Sequence, residues 1–414
     1  MTARMVMELD PKQEEAVQLI VSGRIGVITG GPGTGKTTCL KTALDILRAD
    51  GKVVALMAPT GKAARRMQEA CNYPASTVHR ALAWMDGVFT YGRSCPLEAD
   101  VVICDEASML DTELAASLFN AVDERRTSIF LVGDVNQLPS VGPGLVLGEL
   151  IESGEVSTVW LETLHRSAQA SWMNRNAPRI LDGDFDALEL GTAEDFAFVR
   201  LGPSDPSSLV QLIEDEVNRT MEITGARELH HVLEQMQVLI PQKRGPLGVN
   251  LANARLQEAF QGGTPDGGWK LPDDTMLFDG DKVMQTKNDY NLGLMNGEQG
   301  IVAGTHGGKQ LVVDVDGDSY VYSREQSWNL QLSYATTIHK SQGSEWPVVL
   351  VVCHSSHGRM LSRELIYTAV TRAKKRVVIA GDEEGLARAV ANDRVQERQT
   401  GLLQAVCEAA AGGY

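Results

Sequence analysis

A glycine-rich run near the start of the chain has the residue types and spacing of a phosphate-binding loop. Gly30 is followed, after four residues, by Gly35-Lys36-Thr37. In this spacing backbone N–H groups face an anion, the lysine adds positive charge and the threonine hydroxyl suits Mg²⁺. We therefore predict that the following residues bind a nucleotide with Mg²⁺: Gly31, Gly33, Thr34, Gly35, Lys36, Thr37 and Thr38.

A second chemical signal is the acidic pair Asp105-Glu106, which directly follows the apolar run Val101–Cys104. Such a pair at a strand end is often only a polar turn. Beside a phosphate-binding loop, however, Asp105 is expected to hold Mg²⁺, and Glu106 to orient and deprotonate the water that attacks the γ-phosphate. The pair therefore predicts hydrolysis of the bound nucleotide.

Short apolar runs are expected to position these groups. Residues 25–28 precede the glycine-rich loop, and residues 40–47 carry apolar side chains at helical spacing. Two further runs lead to polar segments at 58–62 and 133–134. Strands that alternate with helices form parallel sheets, and ligands bind beyond the carboxyl ends of such strands. We predict an α/β fold in which these polar segments share one edge.

The length of 414 residues exceeds what one core usually organises and predicts two domains. We place the first at residues 1–160, with a β-hairpin insertion at about 82–96, and the second at residues 161–414. Short alternating runs separated by turn residues predict a small antiparallel β insertion in the second domain, at about 296–330.

Composition restricts the class of protein. Hydrophobic residues make up 43% and charged residues 22% of the chain, as in globular proteins. No apolar run approaches the roughly 20 residues of a membrane span, so we expect a cytoplasmic protein without a membrane partner. The six cysteines lack the spacing of a zinc or iron–sulfur site. The net charge of −16 argues against nucleic acid as a ligand, but basic residues cluster at 62–66 and 372–376.

Longer segments resemble superfamily 1 helicases, with their motifs in the expected order. Motif III is resembled by Val132-Gly133-Asp134-Val135-Asn136-Gln137-Leu138-Pro139, and the downstream arginine motif by Leu164-His165-Arg166-Ser167. Motif V is resembled by Thr337-Ile338-His339-Lys340-Ser341-Gln342-Gly343-Ser344-Glu345, and motif VI by Ile366-Tyr367-Thr368-Ala369-Val370-Thr371-Arg372-Ala373. Segments 58–64, 76–80, 241–248 and 285–290 resemble the RecD-like branch, which moves 5′→3′ on single-stranded DNA. The resemblance covers residues 9–381 and implies two RecA-like lobes with parallel sheets and an SH3-like β insertion.

The resemblance also implies roles at the nucleotide. Gln137 would sense the γ-phosphate, and Arg166 and Arg372 would be two arginine fingers, with Gly343 and Glu345 lining the same cleft. An arginine finger contributes about 10³–10⁵ in rate, so losing either arginine is expected to stop turnover while nucleotide still binds. An ordinary surface ion pair is the alternative for each arginine.

Gln13 has two competing interpretations. It resembles the glutamine that reads adenine in this branch, and we favour that role. The residues alone also predict a helix that starts at Asp10-Pro11, in which Gln13 completes a capping box. One side chain could not easily serve both purposes.

Contacts to single-stranded DNA are implied for short polar side chains, which position a phosphate backbone without reading sequence. The resembling positions are Pro59, Thr60, Lys62, Thr77, His79, Asn288, Thr337 and His339. Thr77 could instead cap a helix, and His79 could be a packed histidine. The hairpin aromatics Trp84 and Phe89 are candidates for separating strands, or they pack the hairpin onto its lobe.

The resemblance implies an ATP- and Mg²⁺-dependent 5′→3′ DNA helicase or single-stranded DNA translocase. We expect a monomer that acts on single strands and single/double-strand junctions in repair, recombination or replication, with proteins of those processes as candidate partners. The N-terminal domain of longer relatives is expected to be missing. Alternatives are a translocase that displaces proteins with little unwinding, since the hairpin is short, and a P-loop ATPase switch controlling a protein partner, which the acidic charge favours. RNA is a further candidate track, because phosphate contacts discriminate poorly.

Overall fold

The computed structural model describes residues 9–163, 171–202, 206–262, 268–306, 309–393, 398 and 400–412. The chain forms two compact units, one of Met1–Ala168 with Val395–Tyr414 and one of Gln169–Arg394. The C-terminal segment thus groups with the first unit, whereas the sequence predicts it as part of the second domain. Within the described ranges, no helix is long and apolar enough to cross a membrane.

The first unit contains a six-stranded parallel sheet and a separate hairpin. Its strands are β1 (Ile25–Gly30), β2 (Val54–Ala58), β3 (Ala75–Thr77), β4 (Trp84–Met85), β5 (Val88–Phe89), β6 (Val101–Cys104), β7 (Ser128–Gly133) and β8 (Thr158–Leu161). The parallel sheet has the order β3-β2-β6-β7-β1-β8, and β4 pairs with β5 in the predicted antiparallel hairpin.

Helices cover the first unit's sheet. They are α1 (Pro11–Ser22), α2 (Lys36–Ala49), α3 (Gly61–Cys71), α4 (Val78–Ala81), α5 (Thr112–Asn120) and α6 (Val146–Glu152). Successive residues of β6 enter different cores: Val101 and Ile103 join one apolar cluster, and Val102 and Cys104 the other. A parallel sheet buried on both faces needs such continuous apolar strands, which is why the sequence shows runs rather than alternation.

The second unit repeats this plan around a five-stranded parallel sheet. Its strands are β9 (Phe196–Arg200), β10 (Met236–Ile240), β11 (Trp269–Lys270), β12 (Met276–Leu277), β13 (Lys282–Gln285), β14 (Gln299–His306), β15 (Gln310–Val315), β16 (Asp318–Tyr322), β17 (Leu330–Leu332), β18 (Ala335–Thr337), β19 (Trp346–Cys353) and β20 (Ala373–Gly381). The parallel order is β18-β10-β19-β20-β9. The helices are α7 (Trp172–Asp182), α8 (Pro206–Thr224), α9 (Leu229–Gln235), α10 (Val249–Gln261), α11 (Arg363–Val370) and α12 (Glu383–Ala391), while α13 (Leu402–Ala410) belongs to the first unit.

The β insertion is a five-stranded antiparallel sheet in the order β16-β15-β14-β13-β17, which we call the β-module. The predicted insertion is confirmed, but it starts at residue 282 and ends at 332, beyond the expected 296–330. Two buried charged residues, Asp281 and Lys282, lie at the start of the β-module. Lys282 Nζ donates to the carbonyl of Met236 and to Gln237 Oε1, both at 2.9 Å, and Asp281 accepts from the Tyr334 hydroxyl at 2.7 Å. These bonds fix the β-module to the parallel sheet because unpaired buried charges are costly.

Candidate active site

Three neighbouring strands bring the predicted nucleotide residues to one sheet edge. β7 pairs in parallel with both β1 and β6, so the carboxyl ends of all three strands lie side by side. The glycine-rich loop follows β1, Asp105-Glu106 follows β6, and the segment with Gln137 follows β7. A hydrogen bond also joins two of these strand ends, since the amide of Val135, after β7, donates to the hydroxyl of Thr29 in β1 at 3.3 Å.

The glycine-rich loop folds tightly around the Lys36 side chain. Lys36 Nζ donates to the carbonyls of Gly30 at 2.6 Å and Gly31 at 3.0 Å. The loop also bonds to itself, because the Thr34 hydroxyl donates to the Gly31 carbonyl at 2.8 Å. Gly35 has a φ of +92° and precedes α2 directly. A left-handed residue at this position needs glycine, and the turn aims the first amides of α2 toward the loop.

Gln13 lies buried behind this loop and forms the predicted capping box. Its carbonyl oxygen Oε1 accepts from the Asp10 amide at 3.2 Å, while its Nε2 donates to the Thr34 carbonyl at 3.1 Å. A Cβ on Gly35 would stand 2.2 Å from Gln13 Nε2. The side chain therefore links the start of α1 to the phosphate-binding loop. Its contact with adenine remains a prediction.

The acidic pair combines desolvation with an unusual backbone. Burial, and secondarily the charge of Glu106, raises the pKa of Asp105 to about 6. The Glu106 amide donates to Asp105 Oδ1 at 2.8 Å, and Glu106 has a φ of +52°. A non-glycine residue in the left-handed region costs about 1–3 kcal/mol and is typical of functional sites. The acidic pair therefore lies at a strained turn directly after β6.

The structure gives Asp134 and Thr29 supporting contacts at this edge that the sequence did not predict. Gln137 is buried, and its Nε2 donates to Asp134 Oδ2 at 3.2 Å, so Asp134 orients the predicted γ-phosphate sensor. Thr29 is also buried, and its hydroxyl accepts the hydrogen bond from the Val135 amide. The sequence signal that could have indicated these contacts is a polar side chain inside an apolar strand, for Thr29, or just after one, for Asp134.

The second unit places its predicted nucleotide residues around one arginine. Arg372 is buried, and its guanidinium donates to the carbonyls of Thr368 at 3.1 Å and Ser344 at 3.3 Å. Ser344 lies between Gly343 and Glu345, so motifs V and VI are in contact. The roles of these residues at the nucleotide remain predictions. Arg166, the other predicted finger, lies outside the described residues.

The basic cluster at 372–376 is only partly exposed, since Lys374 and Lys375 face solvent. Arg372 and Arg376 are both buried. Lys374 pairs with Glu345 at 3.3 Å. Because Arg372, just before β20, and Arg376, within it, both point inward, a count of charges along this segment overestimates its exposed positive charge.

Three of the predicted DNA-binding threonines share one structural position. Thr60, Thr77 and Thr337 each lie at or just after the end of a parallel strand and cap the helical turn that follows. Their hydroxyls accept from the amides of Ala63 at 3.3 Å, Arg80 at 3.1 Å and Lys340 at 3.4 Å. The cap that the sequence offered as an alternative for Thr77 is thus present. The neighbouring Pro59 and Lys62 are half-buried, and His339 is exposed.

The hairpin carries an aromatic cluster made of His79, Trp84 and Phe89. The Trp84 and Phe89 ring centroids are 4.5 Å apart, and the His79 ring lies 5.9 Å from Trp84 and 5.7 Å from Phe89. Phe89 packs against the core of the first unit, whereas Trp84 is exposed. Packing of the hairpin is therefore present at Phe89, and a role in strand separation remains a prediction.

Two family models match the chain in the order of its two units. An AAA domain model matches residues 8–203, and a UvrD-like helicase C-terminal domain model matches residues 332–380. The first match contains the glycine-rich loop and the acidic pair. The second contains Thr337, His339 and Arg372.

Curated relatives are similar along nearly the whole chain. The ATP-dependent RecD2 DNA helicase of Deinococcus radiodurans is 37% identical over 404 residues, which are 96% of this chain and 52% of the relative. The RecBCD enzyme subunit RecD of Mycolicibacterium smegmatis is 34% identical over 424 residues, 94% of this chain and 74% of the relative. The chain therefore spans about half the length of the Deinococcus relative.

Solved structures support the same fold. A Pif1 helicase from Bacteroides in complex with ADP-AlF3 and ssDNA has a TM-score of 0.58 at 17% identity, with 98% of both chains covered. A Pif1 helicase from Candida albicans has a TM-score of 0.51 at 20% identity, covering 94% of this chain and 98% of that one. The motifs, the paired strand edges and the extent of identity to the curated relatives lead to one conclusion: the chain belongs to the RecD-like family of helicases.

Proposed function

We propose that this protein is an ATP-driven 5′→3′ DNA helicase and single-stranded DNA translocase. It acts on single strands and strand junctions in DNA repair, recombination or replication, as a cytoplasmic monomer. The observation that carries the proposal is the shared edge of β1, β6 and β7, where a phosphate-binding loop, an acidic pair and a buried glutamine converge. Their residue types match the requirements of ATP hydrolysis.

The residues of this edge divide the work of hydrolysis. The loop amides and Lys36 hold the phosphates, and Glu106 orients and deprotonates the attacking water. Gln137 is held by Asp134 and registers the γ-phosphate. Arg372, and Arg166 beyond the described residues, stabilise the charge that develops in the transition state.

The oxygen ligands at this edge fit Mg²⁺. Thr37 offers a hydroxyl and Asp105 a carboxylate, which are the hard donors that this ion prefers. Desolvation makes the Asp105 carboxylate costly to ionise, and a nearby cation would offset that cost. Mg²⁺ bound here would neutralise phosphate charge.

DNA contacts are proposed at the capped strand ends. Thr60 caps α3 after the end of β2, and Lys62 in the first turn of α3 adds positive charge. Helix N-termini bind phosphates through their backbone amides. Further contacts to the DNA backbone are proposed at Thr77 and the exposed His79 in the first unit, and at Thr337 and the exposed Asn288 and His339 in the second. Such contacts position the backbone without reading bases.

Replacing the proposed general base should separate hydrolysis from binding. In Glu106→Gln the shape is kept but the proton acceptor is lost, so DNA-stimulated ATP hydrolysis is expected to fall by about 10²–10⁴-fold while ATP still binds. Phosphate release and fluorescent-nucleotide binding measure the two effects. Glu113→Gln, on the exposed start of α5, is the matched control and should retain activity. Unchanged hydrolysis in Glu106→Gln would exclude it as the base.

The experiment that tests the function compares duplexes with a 5′ or a 3′ single-stranded overhang. We expect ATP hydrolysis to rise with single-stranded DNA, and unwinding to occur from the 5′ overhang alone. Displacement of streptavidin from single strands without unwinding would favour the protein-displacing translocase. ATP hydrolysis that does not respond to DNA would favour a P-loop ATPase switch that controls a protein partner. Stronger stimulation by RNA than by DNA would indicate that the protein moves along RNA.

A further inference from the structure

Two exposed aromatic side chains lie on adjoining turns of the β-module. Tyr290 is 68% exposed and Trp328 is 56% exposed. Among the described residues, the other exposed large aromatic side chains are Trp84 and Trp160. We propose that Tyr290 and Trp328 form a stacking platform for bases of single-stranded DNA. This inference rests on the proposed function and names a base-binding site within it.

Hydrogen bonds hold the two turns side by side. Gln326 Nε2 donates to Asp289 Oδ2 at 3.1 Å. The Thr286 amide and hydroxyl donate to the carbonyl of Asn329 at 2.7 and 2.8 Å. Tyr290 and Trp328 each lie next to a residue of one of these links. Tyr290 and Trp328 are therefore carried by two turns that are hydrogen-bonded to each other, and both side chains are exposed.

The turn that carries Trp328 is fixed from its buried side. Ser327 is fully buried, and its hydroxyl accepts from the Trp269 indole N–H at 2.9 Å while donating to the Arg324 carbonyl at 2.7 Å. Anchoring Ser327 in this way leaves the next side chain, Trp328, on the outside. The exposure of Trp328 therefore follows from an ordered turn.

The turn that carries Tyr290 is equally ordered. Asp289 Oδ1 accepts from the amides of Asn291 and Leu292, both at 3.0 Å. Asn288 Nδ2 donates to the Tyr290 hydroxyl at 3.3 Å, which orients the ring. Because Asn288 is itself a proposed DNA contact, Tyr290 lies directly beside the expected path of the strand.

The local chemistry matches single-stranded nucleic acid. Proteins that bind it without sequence preference combine aromatic rings, on which bases stack, with cations near the backbone. Exposed Lys287 and Arg324 supply cations within four residues of Tyr290 and Trp328 along the chain, and the Arg324 guanidinium lies 4.8 Å from the Trp269 ring centroid. Stacking tolerates any base, which suits a protein that must travel along DNA.

The test measures the base-dependent part of DNA affinity. Binding of fluorescent oligo(dT) is compared with binding of an equally long abasic oligodeoxyribose phosphate, over a range of salt concentrations. The variants are Tyr290→Leu and Trp328→Leu, with Tyr290→Phe and Trp328→Phe to keep a ring. Trp160→Leu removes an exposed tryptophan from β8 and is the matched control. Thermal melting verifies that each variant is folded.

We expect each leucine variant to weaken oligo(dT) binding by about 5- to 150-fold, the range for loss of one stacked base. Abasic binding and the salt dependence should stay as in the wild type, since no cation is removed. The phenylalanine variants and Trp160→Leu should retain affinity. Leucine variants that bind oligo(dT) normally, in a protein whose ATPase is still DNA-stimulated, would overturn the platform alone. A wild type that neither binds DNA nor responds to it would overturn the proposed function as well.

Discussion

Lys36→Ala is expected to reduce DNA-stimulated ATP hydrolysis by at least about 10²–10³-fold, because it removes a preorganised positive charge from the phosphate site. The ammonium already lies within the loop, at 2.6 Å from the Gly30 carbonyl and 3.0 Å from that of Gly31. Little reorganisation is needed for it to meet a phosphate. Phosphate release at saturating oligo(dT) measures the effect.

A second lysine of the same helix provides the control for Lys36→Ala. Lys41 lies further along α2 and is exposed, so Lys41→Ala removes the same charge from the same helix at a distance from the loop. It should leave hydrolysis unchanged. Full activity in Lys36→Ala would refute the assignment of the phosphate-binding loop, whereas equal losses in both variants would indicate a general effect of helix charge.

Arg376→Met is expected to lower the free energy of unfolding by about 3–5 kcal/mol, because it leaves a buried carboxylate without its partner. Arg376 is 1% exposed, and its Nε and Nη2 each lie 3.1 Å from an oxygen of Glu216, whose side chain is 7% exposed. Its Nη1 also donates to the carbonyls of Ala193 at 3.0 Å and Glu194 at 2.8 Å. The residue thus joins β20 to α8 and to the loop before β9.

Two further variants separate the buried charge from simple loss of a contact. Arg376→Met with Glu216→Leu removes both charges, and it should be more stable than Arg376→Met alone. The exposed pair Arg200–Glu383 also lies in the second unit, and Arg200→Ala should change stability by less than about 1 kcal/mol. Urea unfolding measures all of these. A double variant no more stable than Arg376→Met would show that the carboxylate is not the source of the loss.

The nucleotide edge could be predicted from sequence because its parts are local. Gly30 to Thr37 form a continuous strand, loop and helix start, so their backbone geometry depends mainly on neighbours in the chain. The same applies to the cap at Asp10 and to the hairpin between Trp84 and Phe89. Parallel pairing then follows from the alternation of strands with helices.

Which side chains are buried, and which distant residues pair with each other, could not be predicted from the sequence. The 372–376 segment has a basic sequence, yet Arg376 is buried against Glu216, 160 residues earlier. The C-terminal segment groups with the first unit because Leu402 and Val406 pack against its core, and Arg398 donates to a loop carbonyl of that unit. Neither contact leaves a periodic signal in the sequence.

The amino-acid sequence by itself determined the chemistry that we propose for this protein: a loop to hold phosphates, carboxylates to hold Mg²⁺ and orient water, and the order of the helicase motifs. Only the tertiary structure decided which charges are exposed, how Gln13 and Asp134 support the site, and that Tyr290 and Trp328 lie on adjoining turns. The physical reason is that local spacing sets backbone conformation and residue type sets chemistry, whereas exposure depends on which distant segments pack together.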